Sequence, residues 1–184
     1  TMIFTRCDGE KNMDRYCKLM QSEYVDGQWS TAVQLEFQQE RINYMHPAFS
    51  ADGNTLFFAS NDPNGIGGYD LYFTQKSKNR WLEPQILPNN INTAGNEKFP
   101  YLDADTLYFA SDGWQGMGGL DIFKVSKSGT NTWNQPINLQ APMNSGSDDF
   151  GLTVDPGFMP NENVFKKGYF SSNRPGGSGK DDIY

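Results

Sequence analysis

Three aspartates close three copies of one glycine-rich run. Asp70 ends the stretch Asn61-Asp62-Pro63-Asn64-Gly65-Ile66-Gly67-Gly68-Tyr69, Asp121 follows Gly116-Met117-Gly118-Gly119-Leu120, and Asp182 follows Gly176-Gly177-Ser178-Gly179-Lys180-Asp181. A carboxylate just after such a turn accepts backbone N–H groups and fixes the path into the next strand. Calcium is the alternative, since Asp, Asn and loop carbonyls are hard oxygen donors. The runs lack the EF-hand spacing, so the expectation is a structural role with no metal and no cofactor. A second polar set recurs in the links between apolar runs: Asn96-Glu97 and Asp148-Asp149, with Asn43-Tyr44 opposite them one copy earlier.

His46 is the sole histidine, and the later copies place Phe99 and Asp149 at its position. A place filled by His, Phe and Asp is not held for proton transfer. With His46 set aside no Ser-His-Asp set remains, which leaves carboxylate-only hydrolysis as the enzymatic alternative. Cys7 and Cys17, the only cysteines, sit at the end of one apolar run and the start of the next. An even count in a hairpin setting predicts a disulfide. Two thiols and one distant histidine fall short of a closed zinc site.

These residues must be positioned by a repeat. The stretch Leu56 to Tyr72, LFFASNDPNGIGGYDLY, returns 51 residues later as LYFASDGWQGMGGLDIF and again as GYFSSNRPGGSGKDDIY at Gly168 to Tyr184. A fainter copy, MIFTRCDGEKNMDRYCKLM, spans Met2 to Met20. Runs of four to seven residues rich in Phe, Tyr, Leu, Ile and Thr between turn clusters read as strands. No segment keeps a 3.6-residue period long enough for a helix. The spacing predicts an all-β fold: a β-propeller of four-stranded antiparallel blades, with about three and a half blades in 1–184. The blades are approximately 1–40, without its first strand, 41–92, 93–145, and 146–184, without its last. Trp29, Trp81 and Trp133 recur every 52 residues and are expected to pack within or between blades.

In a four-strand meander the second–third and fourth–first connections emerge on one face. That face is expected to gather Asp62, Asp70, Glu97, Asp112, Asp121, Asp148, Asp149, Asp181 and Asp182. Lys76, Lys78, Arg80, Lys124 and Lys127 fall on the other. Loops on a rigid scaffold carry most binding sites. The expected partner surface is therefore the acidic one near the channel mouth: Asn96, Glu97, Asp148, Asp149 and His46.

A net charge of −7 argues against binding nucleic acid, which requires a basic surface. It also disfavours anionic lipid. No apolar run reaches the length that spans a bilayer. The expectation is that any secretion signal lies outside this chain.

Phe49-Ser50-Ala51-Asp52-Gly53-Asn54-Thr55-Leu56-Phe57-Phe58-Ala59-Ser60, followed by Gly67-Gly68-Tyr69-Asp70-Leu71-Tyr72-Phe73, resembles the WD40-like propeller repeat of the TolB type. The Gly-Gly-X-Asp-Ile/Leu-Tyr/Phe form is similar to repeats in large OmpA-family cell-envelope proteins of Bacteroidetes, including the PorE-like proteins of type IX secretion and gliding. Phe99-Pro100-Tyr101-Leu102-Asp103-Ala104-Asp105-Thr106 departs from it by lacking the Ser-X-Asp-Gly of Ser50 to Gly53. The resemblance implies a non-catalytic, periplasmic or outer-membrane-associated scaffold that binds an envelope protein. Peptidoglycan would be reached only through domains absent here. The alternative is a glycan-binding or glycan-hydrolysing propeller, although Ser50-Ala-Asp-Gly-Asn-Thr lacks the spacer and tryptophan of an Asp-box.

Overall fold

Both parities of Thr55–Ser60 are apolar, so a strand here has to be covered on both sides. The computed structural model, which describes residues 1–8, 16–129 and 132–184, shows how that is done. The described residues form an all-β fold without helices, built as several small antiparallel sheets.

The second unit is the fullest. Strands β6 (Tyr44–Phe49), β7 (Thr55–Ser60), β8 (Asp70–Ser77) and β10 (Gln85–Ile86) lie side by side in that order, and β9 (Arg80–Trp81) pairs with the far end of β8. The third unit repeats the order with β11 (Glu97–Asp103), β12 (Thr106–Ser111), β13 (Asp121–Ser126) and β14 (Ile137–Asn138). The first holds β1 (Met2–Asp8), β2 (Tyr16–Ser22) and β5 (Val33–Gln34), plus a hairpin of β3 (Tyr24–Val25) and β4 (Gln28–Trp29). The fourth holds β15 (Asp149–Val154), β16 (Gly168–Ser172) and β17 (Asp182–Ile183). Segment 9–15, the first copy's counterpart of the glycine-rich run, lies outside the described residues.

Consecutive units pack in chain order. Strand β6 contacts β1 and β2, β11 contacts β6, β7 and β8, and β15 contacts β11, β12 and β13. Alternation along β7 then explains its composition. Leu56 and Phe58 join Leu19, Leu35, Tyr44 and Tyr72 in one core toward the first unit. Phe57 and Ala59 join Leu71, Leu107, Phe109 and Trp133 in another toward the third. Each such large side chain contributes about 1.5–3 kcal/mol on full burial.

The first strand of each later unit carries a bulge. Register shifts between Met45 and Ala48, between Lys98 and Tyr101, and between Phe150 and Thr153. A left-handed residue marks each one: His46 (φ 54°), Phe99 (φ 53°) and Gly151 (φ 67°). Pro47 and Pro100 sit inside the first two and have no N–H to give a ladder, which suits a bulge. This register corrects one alignment from the sequence. Gly151, not Asp149, is the counterpart of His46 and Phe99, because Asp149 pairs with Ser172 just as Glu97 pairs with Ser111 and Tyr44 with Ser60.

Candidate functional site

The repeated aspartates enter β8, β13 and β17. Asp70 Oδ2 accepts the N–H groups of Ile66 (2.7 Å) and Gly67 (3.1 Å). Asp121 Oδ2 takes those of Met117 (2.6 Å) and Gly118 (3.1 Å), and Asp182 takes that of Gly179. Gly65, Gly116 and Gly177 let the carboxylate come this close, since a Cβ there would collide with the aspartate oxygen. Asp70 and Asp121 are fully buried, and their Oδ1 atoms carry no hydrogen bond among the described residues. No group of three or more His, Cys, Asp or Glu side chains converges among those residues.

The next set joins one unit to the next. Asn43, Asn96 and Asp148 stand at the start of their units, and each receives an N–H from the preceding unit on its side-chain oxygen. The donors are Cys17 (2.8 Å), Tyr69 (3.2 Å) and Leu120 (2.8 Å). Their own N–H groups go to Asn61, Asp112 and Asn173 within the same unit. Backbone bonds run alongside: Glu97 N–H to Tyr69 C=O and Asp149 N–H to Leu120 C=O. Gly67 and Gly118 lie against the backbone of Thr93 and Ser147, with no room for a Cβ.

Glu97 and Asp149 sit one residue further in and are fully buried. Glu97 accepts from the Thr93 N–H (2.8 Å), the Thr93 hydroxyl (2.7 Å) and the Ser111 hydroxyl (2.7 Å). Asp149 accepts from the Ser145 N–H and hydroxyl and from Arg174. Burial pushes the Glu97 carboxyl above its usual range despite these bonds, with Asp70 adding to the rise. Burial also works against the charge on Asp149, but hydrogen bonds from Arg174, Ser172 and Ser145 outweigh it and hold that carboxyl low.

The expected acidic partner surface is corrected by this burial. Asp70, Glu97, Asp121 and Asp149 have no exposure and cannot touch a partner; Asp112 and Asp181 remain exposed and Asp62 partly so. Asn96 and Asp148 are engaged in joining units.

His46 lies at the sheet edges formed by the bulged strands β6, β11 and β15. Its ring stacks on Phe99 with centroids 3.8 Å apart, and Phe99 meets Phe150 at 4.7 Å. Its backbone N–H donates to Thr5 Oγ1, and Nδ1 accepts the Phe99 backbone N–H at 3.4 Å. Burial, with nearby Lys98, lowers its pKa to about 4. That is too acidic for a general base working near neutrality. A basin of about 380 Å³ opens at the bulges, lined by His46, Phe49, Phe99, Tyr101 and Leu152 among others.

Cys7 and Cys17 are cross-strand partners in β1 and β2 and are joined by a disulfide. Sequence reasoning missed a further set of side-chain amides, two of them, Asn92 and Asn144, fully buried. Asn92 accepts the Leu71 N–H and donates to the Leu71 and Leu87 carbonyls; Asn144 does the same at Ile122, and Gln38 at Leu19. The available signal was Asn-Thr/Ser followed by an acid four residues after the hydroxyl, at Asn92-Thr93…Glu97 and Asn144-Ser145…Asp149.

No protein family matches the sequence, and no characterised protein does either.

Proposed function

We propose that the units are blades of a β-propeller of the TolB-like type, acting as a non-catalytic protein-binding scaffold in a bacterial cell envelope. Packing of successive small antiparallel sheets, with β11 in contact with both β6 and β15, supports the propeller reading. One observation carries the scaffold reading: the polar residues that recur with the repeat are consumed in closing turns and joining units. Glu97 and Asp149, the acids of the links between units, are sealed from solvent. The Cys7–Cys17 disulfide suits an oxidising compartment such as the periplasm. Type IX secretion or gliding is the setting that the repeat's resemblance suggests.

The partner surface is the loop face carrying Asp62, Asp112 and Asp181 together with the rim of the His46 basin. The test is cross-linking in intact envelopes, followed by capture with wild type and with Asp62→Lys/Asp181→Lys. A single envelope protein cross-linked to wild type and lost from the double variant supports the scaffold. No defined protein partner, with saturable binding of a cell-wall or host glycan instead, overturns it. The aromatic lining of the basin favours that glycan reading as the second one, since sugar faces stack on such rings.

A further inference from the structure

The first and second units meet differently from the second and third. Gln38 serves the Leu19 backbone as Asn92 serves that of Leu71, which makes Gln21 the counterpart of Phe73. Register sets Ile3 opposite Gln21 and Phe57 opposite Phe73. Where the second unit has two rings, the first has a branched aliphatic side chain and an amide.

The tryptophan arriving from the next unit registers this difference. Trp133 lies edge-on to Phe57 with centroids 6.4 Å apart, and the space left beside Thr55, Phe57 and Phe73 is only about 30 Å³. Trp81 instead donates its indole N–H to Gln21 Oε1 at 3.1 Å, and a cavity of about 260 Å³ stays open beside it. The sealed space is bounded by β7, β8, Leu87, and the next unit's Lys127 and Trp133. The first interface has a counterpart of each in β1, β2, Leu35, Lys76 and Trp81. Side-chain type, not a missing strand, leaves this cavity open.

Its lining suits one class of ligand. Val33, Leu35 and Trp81 give apolar walls. Gln21 Oε1 keeps a lone pair after accepting the indole N–H, and its Nε2 is fixed by donating to Glu23 Oε1 at 2.8 Å. Gln34 and Asn79 add amides whose side chains make no hydrogen bond among the described residues. Amides both donate and accept, as sugar hydroxyls do. Glu36 and Arg80 supply one charge of each sign, which favours neither an anion nor a cation. Apolar walls with a few polar groups to fix orientation are the usual make-up of a small-ligand site.

We propose that this cavity binds a neutral saccharide, its C–H face against Val33, Leu35 and Trp81 and its hydroxyls on the amides of Gln21, Gln34 and Asn79. The cavity shares no lining residue with the His46 basin and lies at the end of β8 away from Asp70. It is therefore separate from the partner surface proposed above, and the scaffold reading can fail without it.

The test is NMR titration of the protein with glucose, galactose, mannose, N-acetylglucosamine and the β-linked oligomer of the last. Saturable shifts of the Trp81 indole N–H and the Gln34 backbone amide are expected with at least one of them. Gln21→Phe, which restores the ring of the sealed interface, should abolish binding, and Gln34→Ala should weaken it at least tenfold. Circular dichroism checks that both fold; should Gln21→Phe not fold, Gln34→Ala decides alone. Absence of saturable shifts at tens of millimolar sugar overturns the proposal. So does binding that survives Gln21→Phe, or that maps to Phe99 and Tyr101 instead. Tighter binding of inorganic phosphate or acetate than of any sugar overturns the neutral class.

Discussion

Arg174 Nη2 lies 2.6 Å from Asp149 Oδ1, while Glu97, at the same position one unit earlier, has no such cation among the described residues. The reason is local. Ser111-Asp112-Gly113 in the third unit becomes Ser172-Asn173-Arg174 in the fourth, and the arginine folds back between Asp149 and the rings of Phe170 and Tyr184. Two buried carboxylates in equivalent sites are thus shifted in opposite directions.

Those directions set opposite pH dependences. Asp149 titrates lower folded than unfolded, so its contribution is present above the unfolded pKa and lost as pH falls through the folded one. Glu97 titrates higher folded than unfolded, so its contribution is full in acid and lost as pH rises through the folded value. Urea unfolding from pH 3 to 8 should show Glu97→Gln flattening the loss on the rising side. Arg174→Ala should cost about 3 kcal/mol at pH 7, as a buried charge losing its partner does. That cost should shrink toward pH 3. A pH-independent cost would mean Arg174 acts by packing alone.

The disulfide closes a short loop between directly opposed strands. The chain-entropy model gives about 2–3 kcal/mol for such a loop. Cys7→Ser/Cys17→Ser should lower the urea midpoint accordingly, and a thiol reductant should lower wild type to the same value. Wild type unmoved by reductant after full thiol release would show that the bond contributes nothing.

The repeat's glycines separate close approach from mere turn preference. A Cβ on Gly67 would strike the Thr93 and Gly95 carbonyls of the next unit, whereas one on Gly146 would meet nothing within 4 Å. Gly67→Ala should destabilise by about 3 kcal/mol, at the upper end of overpacking costs. Gly146→Ala should be within about 0.5 kcal/mol of wild type. Thermal unfolding of the pair decides it, and equal melting points would refute the close-packed interface.

How much of this was legible in the sequence follows from what repeats. Strand positions and their order came from turn clusters and from aromatic runs two parities deep, as at Leu56 to Ala59. Asp70, Asp121 and Asp182 were legible as turn carboxylates because each directly follows its glycines. Burial was not. Glu97 and Asp149 look like surface acids in a polar link, and only the packing of Thr93, Ser145 and the preceding unit hides them. The bulge at His46 was also beyond alignment, since register there depends on Pro47 leaving a ladder bond unmade. Asn92 and Asn144 were passed over because an amide in a polar link carries no hydrophobic period, although its 52-residue recurrence was in plain view.

Those amides make a sharp prediction. Asn92 is 1% exposed and serves the Leu71 N–H and the Leu87 carbonyl, and it shares the Leu71 carbonyl with the Leu87 N–H. Removing it strands buried backbone groups at about 1–3 kcal/mol each, before any relaxation. Asn92→Ala should therefore cost at least about 3 kcal/mol, and Asn92→Asp should also be costly because it cannot donate to the carbonyls. Free exchange of the Leu71 amide in Asn92→Ala would confirm the cause, and protection equal to wild type there would refute it.

The three periodic tryptophans differ in what covers them, and so should their deletions. Trp133 is 8% exposed and packs on Phe57, while Trp29 is 51% exposed and touches Tyr24 at the tip of its own hairpin, with ring centroids 5.1 Å apart. Trp133→Ala should cost about 3–5 kcal/mol, the range for deleting a large buried aromatic. Trp29→Ala should cost about 1 kcal/mol or less, the scale of a cross-strand aromatic pair. Fluorescence gives an independent check: denaturant should red-shift the Trp133 contribution strongly and the Trp29 contribution little. If both deletions cost the same, Trp29 is covered in solution by a surface supplied from outside the described units.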